Sequence, residues 1–308
     1  MKTLQILMST YNGVKYIKEQ LDSLLDQDCE KFGKASFRIL IRDDGSGDGT
    51  QDILEEYAVK YPDRISWYQG ENIGVIQSFF EVLGKAGDSD YYAFCDQDDY
   101  WMPEKMTRAV EILDGMSREK PSLYCCRPKL VDQELKPIES EIERPAMRPG
   151  FRNAMIENIV TGCTAVFNRR LCEMIRQEPP KFTVMHDWWL YLTASCFGEL
   201  YYDETPYICY RQHQGNVLGT KTRKTDEWKM RLKRFRGNRG NISHQLGEFL
   251  RIFGNLEPDN ENIQMAREFL EVRKSFTGRR RFLKKSRIYR QRPEDDRIFH
   301  VILLLGNY

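Results

Sequence analysis

Apolar runs of strand length alternate with stretches of helical periodicity through the N-terminal part of the chain. Residues 4–8 are an apolar run. Ile17, Leu21, Leu24 and Leu25 then recur at i, i+4, i+7 and i+8, which puts them on one face of a helix. Residues 37–41 read as a second strand, followed by the turn-forming cluster Asp43-Asp44-Gly45-Ser46-Gly47-Asp48-Gly49. Asp48 is placed to cap the next helix, whose apolar face is Leu54, Tyr57, Ala58 and Tyr61. Residues 65–68 predict a third strand and Ile76, Phe79, Phe80 and Leu83 a third helix; the continuously apolar residues 91–95 predict a fourth strand. Pro103 stands where a further helix should begin, since a residue there needs no N–H. Later, Thr161-Gly162-Cys163-Thr164 precedes another apolar strand, residues 188–197 read as a helix, and residues 207–210 as a strand.

This alternation implies βαβ units with right-handed crossovers and a mainly parallel sheet flanked by helices, an α/β fold. Ligands of such sheets bind beyond the carboxyl ends of the strands. Three polar clusters fall there. Thr10-Tyr11-Asn12 follows the first strand, Asp43-Asp44 the second, and Asp96-Gln97-Asp98-Asp99 the fourth. They are expected to converge on one site.

Composition narrows the class. A chain of 308 residues, 41% hydrophobic and 30% charged, can form a substantial core and is neither an integral membrane protein nor fully disordered. No apolar run approaches the roughly 20 residues that span a bilayer. The N-terminus lacks a signal-peptide pattern, so a cytoplasmic location is expected. The net charge of +1 hides an asymmetry: residues 1–220 hold 25 basic and 35 acidic side chains, residues 221–308 hold 22 and 11. A boundary near 220 is therefore expected, with a basic C-terminal part facing something anionic. The eight cysteines form no Cys-x-x-Cys pair and sit in apolar runs, which reads as reduced core thiols.

The acidic cluster carries the strongest chemical signal. Three carboxylates within four residues, directly after a buried strand, repel one another, and a hard divalent cation relieves that repulsion. The competing reading is a solvated turn. Asp43, at the first position past its strand, can accept from a base N–H or a ribose hydroxyl; Asp43-Asp44-Gly45-Ser46 can equally be turn chemistry. No Gly-x-Gly-x-x-Gly and no P-loop are present, which counts against dinucleotides and ATP hydrolysis.

Together, Ser9-Thr10-Tyr11-Asn12-Gly13, residues 42–50, Asn72-Ile73-Gly74 and Asp96-Gln97-Asp98-Asp99 resemble, in order and spacing, the family 2 glycosyltransferases of GT-A fold across residues 1 to about 215. The likeness is greatest to bacterial rhamnosyltransferase-like members, through His186-Asp187-Trp188 and Tyr210-Arg211-Gln212-His213. It implies a Rossmann-like GT-A domain over 1–220, a mainly helical C-terminal appendage over 221–308, and transfer of a sugar from a nucleoside-diphosphate donor in cell-surface polysaccharide synthesis. dTDP-rhamnose is the leading donor, with UDP-sugars next, and a saccharide or lipid-linked saccharide is the acceptor. By the same resemblance Thr10, Tyr11 and Asn12 line the base pocket and Asp43 contacts the base, with Asp44 beside it. Asp96, Gln97 and Asp99 face ribose or donor sugar, and Asp98 with Asp96 ligates Mn²⁺ or Mg²⁺. Thr161, Gly162, His186 and Trp188 border the acceptor. Arg211 and His213 meet the diphosphate, with Asn216 and Gly219 shaping their loop. Asp187 matches the catalytic base of an inverting transfer. Its place at a helix N-terminus favours the ionised carboxylate, and a helix cap is the plainer alternative.

Beyond residue 220 the pattern turns helical, basic and amphipathic. Trp228, Met230, Arg231, Leu232 and Phe235 mix apolar and basic faces, and Leu246, Phe249, Leu250 and Phe253 fit one helix face. Arg279-Arg280-Arg281-Phe282-Leu283-Lys284-Lys285 joins charge to apolar side chains. An anionic membrane surface at the inner face of the plasma membrane is the preferred partner over simple packing or a homodimer. No nucleic-acid motif accompanies the basic residues, so nucleic acid is not expected. A non-catalytic nucleotide-sugar or glycan-binding relative and a nucleotidyltransferase are the competing functions. The intact acidic motif argues against the first, and the lack of a basic glycine-rich loop after the first strand argues against the second.

Overall fold

A computed structural model describes residues 1–139, 145–213 and 240–308. Asn216, Gly219, Trp228, Met230, Arg231, Leu232 and Phe235 lie outside the described residues. The chain divides into two compact units. One comprises residues 1–138, 160–177 and 197–220; the other comprises 139–159, 178–196 and 221–308. Two internal segments thus group with the C-terminal helices, where charge asymmetry alone suggests a single cut at 220.

The first unit is built on a seven-stranded sheet of order β3-β2-β1-β4-β8-β6-β9. Its strands are β1 (Lys2–Thr10), β2 (Ala35–Asp43), β3 (Ile65–Gln69), β4 (Tyr91–Cys95), β6 (Ser122–Cys126), β8 (Val166–Asn168) and β9 (Glu199–Asp203). β8 runs antiparallel to its neighbours β4 and β6; the other pairings are parallel. β4 is buried along its whole length, as a central strand covered on both faces must be, and that is why it reads as an unbroken apolar run. Helices α1 (Ile17–Leu25) and α2 (Thr50–Lys60) set Leu21, Leu24, Leu54 and Tyr57 against Ile6, Met8, Ile39 and Ile41. Each buried Leu or Ile contributes about 1.5–3 kcal/mol of burial free energy. Helix α3 (Val75–Lys85) brings Phe79 to 4.9 Å from Phe94, whose ring is 5.2 Å from Phe167.

Register fixes the functional edge. Thr10 lies opposite Asp43, Asp43 opposite Gln69, and Met8 opposite Cys95, so the chain leaves β1, β2 and β4 at adjoining points. A smaller sheet, β5 (Tyr100–Trp101), β10 (Ile208–Arg211) and β7 (Lys129–Val131), pairs Cys209 with Tyr100 and carries the chain on from the acidic cluster.

Local ends differ from the sequence pattern in two places. The helix after Pro103 is α4 (Lys105–Asp114); Pro103 sits in the turn ahead of it, and the Gln27 side chain accepts from the Met106 N–H instead. Asp48 stands one residue before the N-cap, because Gly49 takes the left-handed cap conformation at φ 96°; Asp48 still accepts from Thr50 N at 3.0 Å. Helix α6 (Arg169–Gln177) completes this unit. The eight cysteines are free thiols, all buried except the half-buried Cys209.

The second unit contains α5 (Phe151–Ala154), α7 (His186–Phe197), α8 (Asn241–Phe253), α9 (Glu261–Glu271), α10 (Phe276–Ser286) and α11 (Pro293–Leu305). Trp189 is fully buried between Phe249 and Phe253. Asn260 caps α9 and Ser275 caps α10 through their side chains. Pro293 and the acidic residues 294–296 open α11, matching the helix dipole. No described helix is long and apolar enough to cross a membrane.

Candidate active site

The loops leaving β1 and β2 are stapled to each other. Asn12, at φ 50°, donates its N–H to Ser46 Oγ and accepts from Gly47 N through its side chain. Gly13 N donates to Thr50 Oγ1 and Val14 N to Asp48 Oδ2. Gln97 ties the acidic loop to this pair: its Oε1 accepts from Thr10 Oγ1 and Tyr11 N, and its Nε2 donates to Tyr11 O at 3.1 Å. A Cβ at position 13 would come within 2.5 Å of Gln97 Oε1, so any larger residue would have to displace this side chain. Gln97 thus ties its polar atoms to the loop after β1. Tyr11, 47% exposed, presents its ring to solvent at the same edge.

Asp43 and Asp44 are both buried. Asp43 accepts from Ser46 N, Ser46 Oγ and Gln51 Nε2, which shapes the turn. Asp44 is paired with the buried Arg42 and accepts from Ile73 N and Gly74 N, so it holds the Asn72-Ile73-Gly74 loop. Arg42 also reaches Glu81, Ser78 Oγ and Glu71 O. Both Asp44 oxygens thus take part in holding Arg42 and the 72–74 loop.

Asp96, Gln97 and Asp98 are half-buried, while Asp99 is fully buried. Asp98 Oδ2 lies 2.7 Å from His213 Nε2. The His213 ring lies against Tyr16, with ring centroids 5.0 Å apart and the planes tilted by 31°. Asp99 Oδ1 accepts from Arg211 N, and its Oδ2 meets no N–H or O–H donor among the described residues. Burial, and then the neighbouring Asp98 and Asp96 charges, push the Asp99 carboxyl well up. Ligand atoms of Asp96, Asp99 and Cys163 lie within 4.8 Å of one another. Burial, and then the Asp99 and Asp96 charges, push the Cys163 thiol well up as well. Asp96 and Asp98, both half-buried, offer carboxylate oxygens, the ligand type that hard divalent cations favour.

Arg211 is engaged within its own unit. It is 1% exposed, lies 4.6 Å from the Tyr16 ring centroid, and donates to Asp98 O, Gln133 O and the Glu19 carboxylate. Its guanidinium ties β10 to α1 and to the acidic loop. Beneath this loop lies Lys105, fully buried, 3.2 Å from the Trp101 ring centroid and with no hydrogen-bond acceptor among the described residues. Burial lowers its ammonium to about 8. Lys105, Gln133, Glu19 and Tyr16 are site-supporting residues that pattern reading does not select. For Lys105 a signal existed: it shares the buried face of α4 with Met106, Ala109, Val110 and Leu113.

Thr161 precedes a 3-10 turn, Gly162–Thr164, and its carbonyl accepts from Thr164 N and Oγ1; Gly162 is buried. Asp187, His186 and Trp188 belong to the second unit. Asp187 lies in the first turn of α7 and accepts from Asn158 Nδ2 at 2.9 Å. His186 is buried, which lowers its imidazole to about 3 and keeps it neutral. Trp188 is buried and donates Nε1–H to Ala154 O at 2.6 Å, so it is a packing residue here, not an exposed stacking platform.

The profile described as "Glycosyl transferase family 2" matches residues 5–176. dTDP-rhamnosyl transferase RfbG of Shigella flexneri is 28% identical over 223 residues, 69% of this chain and 73% of that protein. The putative teichuronic acid biosynthesis glycosyltransferase TuaG of Bacillus subtilis is 29% identical over 53% of this chain and 60% of its own length. Among solved structures, S. aureus TarS 1–349 in complex with UDP-GlcNAc is similar with a TM-score of 0.53, 18% identity, and coverage of 100% of this chain and 88% of that one. The mannosyltransferase PcManGT of Pyrobaculum calidifontis, in complex with GDP-Man and Mn²⁺, gives 0.52 at 17% identity, covering 99% of this chain and 80% of that one. These likenesses place the fold in the GT-A class.

Proposed function

The chain belongs to glycosyl transferase family 2, and we propose that it is a metal-dependent inverting enzyme that moves rhamnose from dTDP-rhamnose, or failing that a sugar from a UDP-sugar, to a saccharide or lipid-linked saccharide in cell-surface polysaccharide synthesis. The observation that carries this reading is the acidic cluster past β4, with Asp98 2.7 Å from His213. The likeness to RfbG supports rhamnose as the donor sugar, and that to TuaG supports polysaccharide synthesis. Asp98 and Asp96 would hold Mn²⁺ or Mg²⁺, which would supply positive charge to the leaving diphosphate, and His213 stands hydrogen-bonded to Asp98 beside them. Tyr11 offers its exposed ring to the donor base, and Asn12 and Gln97 keep the surrounding loops in place. Asp43 fixes the turn beside the base through Ser46.

In this reading Asp187 is the base. Its carboxylate takes the proton of the acceptor hydroxyl as that oxygen attacks the anomeric carbon; the bond to the diphosphate oxygen breaks and the anomeric configuration inverts. Thr161 and the Gly162 backbone border the acceptor. Residues 1–220 carry the donor chemistry, and the basic region 221–308 holds the enzyme at the inner face of the plasma membrane.

The test is a panel of nucleotide sugars with Mn²⁺ and a lipid-linked saccharide acceptor, read by release of free nucleoside diphosphate. Release with dTDP-rhamnose above all others supports the reading; release of pyrophosphate instead would point to a nucleotidyltransferase.

A further inference from the structure

Asn158 is the partner of Asp187, and the chain around it is built to hold it there. Its Nδ2 donates to Asp187 Oδ1 at 2.9 Å. The preceding segment is clamped from two sides within the second unit. From α7, Trp188 Nε1 donates to Ala154 O at 2.6 Å. Tyr191, one turn beyond Asp187, accepts from Gly150 N and donates to Asn153 Oδ1 through its hydroxyl. From the stretch before α11, Arg290 Nη2 donates to Ile156 O and Gln291 N to Glu157 Oε2, while Asn153 Nδ2 donates to Glu157 Oε2 and Tyr289 O. Gly150 through Glu157 are therefore fixed at almost every residue, and Asn158 leaves the clamp pointing its amide at one carboxylate oxygen. The remaining interactions of the segment serve packing; this one touches the residue proposed to do the chemistry.

We propose that Asn158 is a positioning residue for Asp187: its amide fixes the carboxylate rotamer and favours the ionised form that accepts the acceptor's proton. The inference rests on the assignment of Asp187 as the base. A neutral amide donor suits this task, because its hydrogen bond is made to the charged carboxylate and favours that form. His186, the preceding residue in the chain, has its imidazole lowered to about 3 by burial and so is neutral beside Asp187.

The experiment compares Asn158→Leu, Asn158→Asp and Asp187→Asn with the unaltered full chain, using Mn²⁺, dTDP-rhamnose and a saturating lipid-linked saccharide. For Asn158→Leu, kcat is expected to fall by about ten- to a hundredfold, with donor KM within twofold and the acid limb of the kcat profile about one pH unit higher. For Asn158→Asp, a second carboxylate replaces the donor, so the acid limb should move further up and activity recover at high pH. Circular dichroism and thermal melting show whether each variant is folded, and the direction of the acid limb separates positioning from mere destabilisation. If Asp187→Asn is inactive but the acid limb of both Asn158 variants stays where it is in the wild type, the positioning inference is overturned. If Asp187→Asn keeps most of its turnover, the base assignment fails on its own account, and a shifted limb in Asn158→Leu would no longer be attributable to Asp187.

Discussion

Replacing Lys105 with methionine should stabilise the protein at neutral pH and lose most of that advantage in alkali. The ammonium is fully buried, without a hydrogen-bond acceptor among the described residues, and is offset by the Trp101 ring at 3.2 Å. Its pKa drops from 10.5 to about 8, with burial as the largest cause. A drop of about 2.5 units at roughly 1.4 kcal/mol per unit means that keeping the charge costs the native state about 3 kcal/mol at pH 7. The folded pKa lies below the unfolded one. Between about pH 8 and 10.5 the unfolded chain therefore binds more protons, and this group makes stability rise with pH across that window. Methionine has similar length and no charge, so it removes the pH-dependent part while losing up to about 2 kcal/mol of cation–π attraction. Urea unfolding followed by tryptophan fluorescence at pH 7 and pH 10 gives the comparison. The gap between variant and wild type should shrink by about 2–3 kcal/mol from pH 7 to pH 10. The thiols that face Lys105, Cys95, Cys126 and Cys163, are pushed up by burial, and thiols and phenols away from it titrate alike in both proteins. Parallel stability curves would refute a charged, buried Lys105.

Two further outcomes are expected. The neutral, buried His186 should make stability fall as pH drops from about 6.5 towards 3, because there only the unfolded chain takes up the proton; at pH 5 the loss is about 2 kcal/mol, and His186→Phe should flatten that part of the curve. Arg280, Arg281 and Lys284 are exposed on α10 near the exposed Phe276, so sedimentation with anionic but not neutral liposomes is expected, and neutralising these three with Lys285 should weaken it without changing donor hydrolysis. Binding that ignores vesicle charge would count against the membrane reading.

The alternation of β1 to β4 with α1 to α3 was legible because each element carries several core positions at its own period. The strands β5 and β7, two and three residues long, are too short for a period to show, and α6 was passed over although it buries Leu171, Cys172, Met174 and Ile175 on one face. The three polar clusters come together at one sheet edge because parallel strands in register end side by side. What each polar residue does there was less legible. Motif spacing cannot tell that Arg42 is buried against Asp44, or that Arg211 is consumed by Glu19, which lies 192 positions away. The link from Asn158 to Asp187 spans 29 residues with no periodic signal, so only the folded chain reveals it.

The central claim is that Asp98 serves a divalent cation needed for donor turnover. Titrating Mn²⁺ against donor hydrolysis by wild type and by Asp98→Asn tests it most directly, since the substitution preserves size and removes one ligand charge. Wild type should lose activity in excess EDTA and regain it with Mn²⁺. Asp98→Asn should fall by about a hundredfold or more, on the order of 3 kcal/mol in barrier, and need far higher Mn²⁺ to recover any of it. Full wild-type turnover in EDTA, or an Asp98→Asn enzyme with an unchanged Mn²⁺ requirement, would contradict the account.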